Sequence, residues 1–403
     1  MGAMQYMKKG TEGRRPRAVI FGAGSVGRGF LGQLLSESGY EVVFIDVDDV
    51  LVSALSERGC YALKLSGVVG VVELVIGPVR AVNGRDTAAV ADEVAGASLI
   101  ATAVGVRALG AVAKSIARGL AMRWGRGDTG PVNIILCENL HNAPEILGDS
   151  IRTALPDADR PALASRVGLV PAVIARMAPV PTPEQRAADP ALIVAEPYKV
   201  LPVDRDAFIG PIPSIVGMQA VSPFEAYTAR KLFVHNASHA ILGYLGAARG
   251  HQYGYEALED SWVRSRLDQG LTESARALVA TYGFEPVSFQ EHIDYLLVRF
   301  ANRALADPAS RLARDPLRKL AANDRLVGAA RLAEQCGVRP EGLAWGIAGG
   351  LAYANPEDEH AVALQQRIRD EGVESTMWEV CQIRSDEDLG KLVLERYREL
   401  AKA

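Results

Sequence analysis

A short apolar run, Arg17-Ala-Val-Ile-Phe21, ends in Gly22-Ala-Gly24-Ser25-Val26-Gly27-Arg-Gly29, and few folds admit that junction. An amphipathic segment follows, with Phe30, Leu31, Leu34 and Leu35 on one face, closed by Ser38-Gly39. Then comes Glu41-Val-Val-Phe-Ile-Asp46. The order strand, glycine turn, helix, strand is one βαβ unit, and a GxGxxG in that context is the signature of a dinucleotide-binding domain. The first glycine permits a tight turn, the second lets backbone approach a pyrophosphate, and the third lets helix and strand pack closely. The phosphates then sit at the positive helix N-terminus.

Asp46 ends the second strand, where a carboxylate can accept both ribose hydroxyls and would repel a 2′-phosphate. NAD is therefore the expected cofactor. Asp48 and Asp49 follow, so the acidic position can slip by two; both also make a 2′-phosphate unwelcome.

Beyond this unit, Ser98–Gly105 and Val132–Asn139 read as buried strands separated by helical patterns near 107–122 and 143–154. Val167–Val170 and Leu192–Glu196 continue the strands through a proline-rich stretch that favours extended chain and turns. From about Ser222 the apolar residues recur at helical spacing. Helices are expected near 223–250, 255–282, 288–301, 315–336, 340–352, 356–372 and 384–402. The fold class is α/β: a Rossmann-type domain with an extended sheet over 17–220, then a mainly α-helical substrate domain over 221–403. Residues 1–16, polar and basic, read as a disordered leader.

The chain has 403 residues and a net charge of -4, so no global field draws it to nucleic acid or an anionic membrane. No apolar run approaches the roughly 18 residues of a membrane span. Cys60, Cys137, Cys336 and Cys381 are far apart and show no ligand-like spacing with histidine. They are expected to be reduced thiols of a cytoplasmic protein, with no metal site.

The second informative stretch is Lys231-Leu-Phe-Val-His235-Asn236-Ala-Ser-His239. On an α-helix Asn236 falls about 140° and His239 about 80° around from Lys231, so all three can look into one cleft. A lysine base, an amide donor for an alkoxide and an imidazole to orient a hydroxyl suffice for metal-free alcohol oxidation. On their own, the same residues equally describe a solvated helix face. Arg318, Lys319 and Arg325 are expected on one helical segment, with Arg318 and Arg325 nearly superposed, able to grip a phosphate. A solvated basic face has the same spacing.

Taken in order, Phe21–Phe30, Thr102-Ala-Val104-Gly105, Cys137-Glu-Asn139, Arg230-Lys-Leu-Phe233 with Asn236 and His239, and Pro316–Leu320 with Asp324-Arg-Leu326 resemble the polyol-specific long-chain dehydrogenase family. The resemblance covers most of 17–370, and the chain is short, as in the family's sugar-phosphate members. It implies NAD-dependent hydride transfer from a secondary alcohol of a sugar-alcohol phosphate, of the mannitol 1-phosphate type, without metal. Lys231 would be the general base, Asn236 and Asn139 donors to the alkoxide, and His239 the orienting imidazole. Thr102, Val104 and Gly105 would join Gly22, Gly24, Ser25, Val26, Gly27 and Asp46 at the cofactor.

The chain departs from the family pattern at Ala175, where a carboxylate precedes Arg176, at Tyr198, where a tryptophan is usual, and at His235, where an aliphatic residue is usual. Arg176 and His235 are therefore further substrate candidates, and these departures bear on substrate identity. Three other functions compete: a dehydrogenase of an unphosphorylated polyol, sugar acid or specialised biosynthetic substrate; a non-catalytic NAD(H)-binding regulator; and an opine-type or 2-hydroxyacid dehydrogenase. The last lacks a His–carboxylate pair, and the regulator has no need of the lysine and its donors.

Overall fold

The structure, a computed structural model, describes residues 15–140 and 142–402. The expected leader lies almost wholly outside them. Among the described residues, eleven strands run in the order β1 (Arg17–Phe21), β2 (Glu41–Asp46), β3 (Tyr61–Gly67), β4 (Gly70–Ile76), β5 (Val79–Asn83), β6 (Leu99–Thr102), β7 (Val132–Leu136), β8 (Val167–Pro171), β9 (Ile193–Ala195), β10 (Leu201–Asp204) and β11 (Met218–Val221). Six form one sheet in the order β5-β2-β1-β6-β7-β8. Every pairing within it is parallel. That is a doubly wound dinucleotide-binding sheet, with the order reversing at β1. Its strands are buried on both faces, which is why they read as continuous apolar runs. A small sheet, β4-β3-β9, and the pair β10-β11 flank it.

The glycine turn is set by close packing. Gly22 has φ +94°, and a Cβ there would lie 2.4 Å from the Ala103 carbonyl oxygen. At Gly27 a Cβ would lie 2.0 Å from the carbonyl oxygen of Gly22. Gly27→Ala is therefore expected to destabilise by about 1–3 kcal/mol through overpacking. A melting temperature within a degree of wild type would show that the turn relaxes instead.

From Phe224 onward the described elements are helices. Helix Glu341–Ala352 is the centre of this part, with residues Gly342 to Leu351 buried. Its glycines admit close neighbours, backbone at one and side chain at the other: a Cβ at Gly342 would meet Gly270 N at 2.2 Å, and one at Gly346 the Ile241 side chain at 2.8 Å. The buried carboxylate of Glu273 caps its N-terminus from the helix Ser261–Tyr282, accepting from Gly342 N at 2.8 Å and Leu343 N at 3.0 Å. Burial pushes that carboxyl up to about 7.

Two expected helices are interrupted and a third is shortened. The span 255–282 breaks at Asp260, whose side chain accepts from Trp262 N and Val263 N and starts a new helix. The span 315–336 is a short helix Pro316–Lys319, turns over 320–326, and a helix Val327–Gln335. The span 384–402 is helical only from Asp388 to Leu400. A helix Val373–Cys381 precedes it, and the helix pattern over 223–250 winds as a π-helix at Lys231–Asn236.

Candidate active site

The glycine turn and the ends of β2, β6 and β7 form one side of a cleft, and the helix bearing Lys231 the other. Gly24 is exposed, and a Cβ built on it meets nothing within 4 Å. Tight packing at Gly22 and Gly27 with open space at Gly24 makes a cradle that accepts a close, anionic ligand at a helix start. Ser25 and Val26 sit partly exposed on its lip. The Asp46 carboxylate accepts from Ala23 N at 2.7 Å and from Val47 N at 2.7 Å. Of the three acidic residues it alone reaches the turn. Asp48 caps the next helix and pairs with Arg186, and Asp49 pairs with Arg85.

After β6 the chain runs through Val104 and the exposed Gly105, which has φ +78°. Thr102 sits deeper than expected of a cofactor contact. It is fully buried, and its hydroxyl donates to Glu138 Oε2 at 2.6 Å. Glu138 was not singled out from sequence. Its other oxygen accepts from Val104 N at 3.1 Å. Burial pushes this carboxyl up, opposed by those hydrogen bonds.

Asn139 follows Glu138 and is exposed to the cleft. Lys231 Nζ donates to Asn139 Oδ1 at 2.8 Å, across the cleft between the two halves of the chain. Burial first, and the positive charge of Arg325 second, push Lys231 down to about 8. The π-winding changes the expected angular arrangement: an i→i+5 turn is wider than an α-turn, so Asn236 lies closer to the face of Lys231 than about 140° of α-helix would place it. Among the described residues, the side chains of Asn236 and His239 have no hydrogen-bond partner, which leaves both free for a ligand. His239 lies against Phe300, ring centroids 4.3 Å apart, and edge-on to His235 at 4.7 Å. Burial pushes both imidazoles well down, with Arg311 the next cause for His239 and His239 itself for His235. Both are neutral near pH 7. His235 is buried, packed edge-on against His239 and Phe300.

The expected cation trio divides. Arg318 is half-exposed and donates to Asp315 at 2.8 Å. The turns over 320–326 end the short helix, so Arg318 and Arg325 do not superpose. Lys319 and Arg325 are both buried. Arg325 pairs with the adjacent Asp324 at 2.7 Å, while Lys319 donates to the carbonyl of Leu312 and, among the described residues, has no carboxylate bonded to it. Burial, then Arg325, pushes Lys319 down to about 7.

Arg176 holds the fold together through Nε and Nη1, while its Nη2 is buried with no hydrogen-bond partner among the described residues. It donates to the Gly29 carbonyl at 2.9 Å, Gln33 Oε1 at 2.8 Å and the Glu196 carbonyl at 2.7 Å. Two buried groups that sequence reading missed lie beside it. Arg299 grips Glu196 with both ends of its fork, 2.9 Å and 2.6 Å, and also donates to the carbonyl of Ala175. Its guanidinium stacks 4.0 Å over Tyr198. Two of the departures from the family pattern, Ala175 and Tyr198, thus meet at one buried arginine. Asn302 adds a further tie between the two halves, donating to the Ser66 carbonyl at 2.7 Å.

The family pattern described as the mannitol dehydrogenase Rossmann domain matches residues 16–217, and the one described as the mannitol dehydrogenase C-terminal domain matches 223–399. The mannitol-1-phosphate 5-dehydrogenase of Geobacillus stearothermophilus is 38% identical over 385 residues, 95% of this chain and 99% of that protein. The protein of the same name from Bacillus subtilis is 37% identical over 94% of this chain and 99% of its own length. Among solved structures, Pseudomonas fluorescens mannitol 2-dehydrogenase, in a ternary complex with NAD and D-mannitol, superposes with a TM-score of 0.75 at 18% identity, covering 96% of this chain and 92% of that one. A substrate-free D-sorbitol dehydrogenase superposes with a TM-score of 0.78 at 17% identity, covering 96% and 93%.

Proposed function

Since the chain belongs to the mannitol dehydrogenase family, we propose that it is an NAD-dependent dehydrogenase of a sugar-alcohol phosphate, interconverting a secondary alcohol and the ketose phosphate. The observation that carries this reading is the 2.8 Å contact of Lys231 with Asn139 across the cleft, beside the uncommitted side chains of Asn236 and His239. Gly22, Gly24, Ser25, Val26, Gly27, Asp46, Val104 and Gly105 would hold NAD, which when bound supplies the hydride acceptor. Lys231, neutral above about pH 8, takes the hydroxyl proton at Nζ. Asn139 gives its Oδ1 to the lysine, which turns its Nδ2–H₂ outward as a donor. Asn236 is the second donor, so two neutral amides stabilise the alkoxide without quenching the base. Neutral His239 orients the hydroxyl. The four free thiols suit a cytoplasmic setting.

The phosphate reading draws on the relatives' name and on Lys319 and Arg325. Lys319 is buried, and among the described residues its ammonium is bonded only to a carbonyl, with Asp315 acting at longer range against Arg325, Arg318 and Arg314, so a bound anion would add a direct counter-charge. A panel of sugar-alcohol phosphates and the matching free polyols, assayed by NADH formation near pH 9, tests it. We expect turnover of a phosphorylated member, and Lys319→Gln, compared with wild type near pH 6.5 where the Lys319 ammonium is present, to raise its KM by about 10- to 100-fold, as loss of one charge-assisted hydrogen bond implies. Turnover of free polyols alone, untouched by Lys319→Gln, would transfer the function to an unphosphorylated substrate.

A further inference from the structure

We propose that Glu138 is a positioning residue: it clamps the chain after β6 to the chain after β7 and so fixes the amide of Asn139 against Lys231. The inference rests on the reading of Lys231 as base and Asn139 as its partner. Glu138 is 7% exposed, and its two oxygens accept from two different segments, the Thr102 hydroxyl at 2.6 Å and Val104 N at 3.1 Å. Both partners are donors, so a carboxylate satisfies both at once. The peptide that leaves Glu138 carries Asn139, the only described group that accepts from Lys231. The segment it grips also underlies the glycine turn, since the Ala103 carbonyl is what would stop a Cβ at Gly22. One buried side chain thus joins the cofactor side of the cleft to the amide that faces the base. A carboxylate at the end of an apolar strand, otherwise costly to bury, is explained by that task.

Loosening Asn139 has a signature that simple destabilisation lacks. The amide oxygen stabilises the charged form of Lys231, so displacing it lowers the lysine pKa and moves the pH–rate limb to lower pH. Among the described residues, the other titratable and charged groups around Lys231 are Arg325, His235 and His239, and none of them contacts Glu138. The variants are Glu138→Ala, Glu138→Gln, Asn139→Ala and the double variant Glu138→Ala/Asn139→Ala, assayed on the best substrate of the panel. Glutamine keeps the clamp, since its oxygen accepts from Val104 N and its amino group donates to Thr102.

We expect Glu138→Ala to lower kcat by about 10- to 100-fold, the scale of a misplaced reacting group. NADH affinity, read by fluorescence, should change less than about fivefold. The limb should move below that of wild type, with Glu138→Gln restoring most of the rate and the limb position. The double variant should be little worse than Asn139→Ala, because the effect runs through the amide. A limb that stays in place in Glu138→Ala, or rate losses that add in the double variant, would overturn the proposal, whatever the melting temperature does. Failure of the underlying reading would look different: Lys231→Ala would remain active.

Discussion

Lys231→Ala is expected to lower kcat for alcohol oxidation by about 10²- to 10⁴-fold, the contribution of a positioned general base. NADH binding should survive, because the glycine turn and Asp46 lie on the other side of the cleft. The wild-type pH profile should carry the lysine's own signature. Oxidation needs the neutral amine, so its rate should rise with pH through about 8 and level off above it. Reduction of the ketone needs the ammonium, so its rate should fall as pH rises through the same value. Arg325 is one of the two causes that hold the lysine down. Arg325→Gln should therefore move both limbs to higher pH. Steady-state rates in both directions from pH 6 to 10 check this. A rate with no limb near 8, or a Lys231→Ala variant within tenfold of wild type, would sink the base assignment.

The largest stability effect is expected at Glu196. Its carboxylate and the Arg299 guanidinium are 1% and 5% exposed, and they meet in a bidentate pair that joins the strand region after β9 to the helix Pro286–Phe300. Glu196→Ala would leave a buried guanidinium with no counter-charge, at a cost of about 3–5 kcal/mol. The urea midpoint should fall accordingly with the slope m retained. Replacing both partners, Glu196→Ala with Arg299→Met, should recover part of the loss, because the price of the lone charge disappears with it. A midpoint within 0.2 M of wild type, by order of magnitude, would mean that water reaches the arginine. Arg299 also lies beside Phe300, on which His239 rests, so a loosened pair should raise substrate KM more than cofactor Kd.

The parts legible in the sequence are those where local chemistry and tertiary packing ask for the same residues. Gly22, Gly24 and Gly27 are required by a turn, an open approach and a contact, so three positions announce the fold. The strands of the main sheet are apolar on both faces and short, as a parallel sheet covered by helices requires. What was not legible depends on partners distant in sequence. Glu196 and Arg299 stand 103 residues apart, and each looks like the polar end of an apolar segment. Glu138 gave a faint signal, a carboxylate closing the buried run Val132–Cys137, but its partner Thr102 read as a cofactor contact. Ala321-Ala-Asn323-Asp324 fits a helical period, yet the chain turns there, with Asp324 accepting from Arg325 N and its carbonyl from Gly328 N. That turn buries Arg325 and leaves Arg318 outside.

The π-winding at Lys231–Asn236 was also invisible, because apolar periodicity does not separate α from π over a single turn. Its meaning lies in counting. A π-turn is an α-helix carrying one residue too many, held in place by what packs around it. Deleting one residue between Lys231 and Asn236 would remove the extra residue and let the helix relax to the regular winding with its flanks nearly in register, because four α-residues turn the chain by about 400°, roughly 40° past one full turn. The lysine would then keep the face it shares with Asn236 and His239, whereas the same six residues wound as a regular α-helix would carry Asn236 about 140° away from it. The chemistry of this helix is thus written partly in its winding: base and amide share a face because the extra residue is taken up in a wide turn between them.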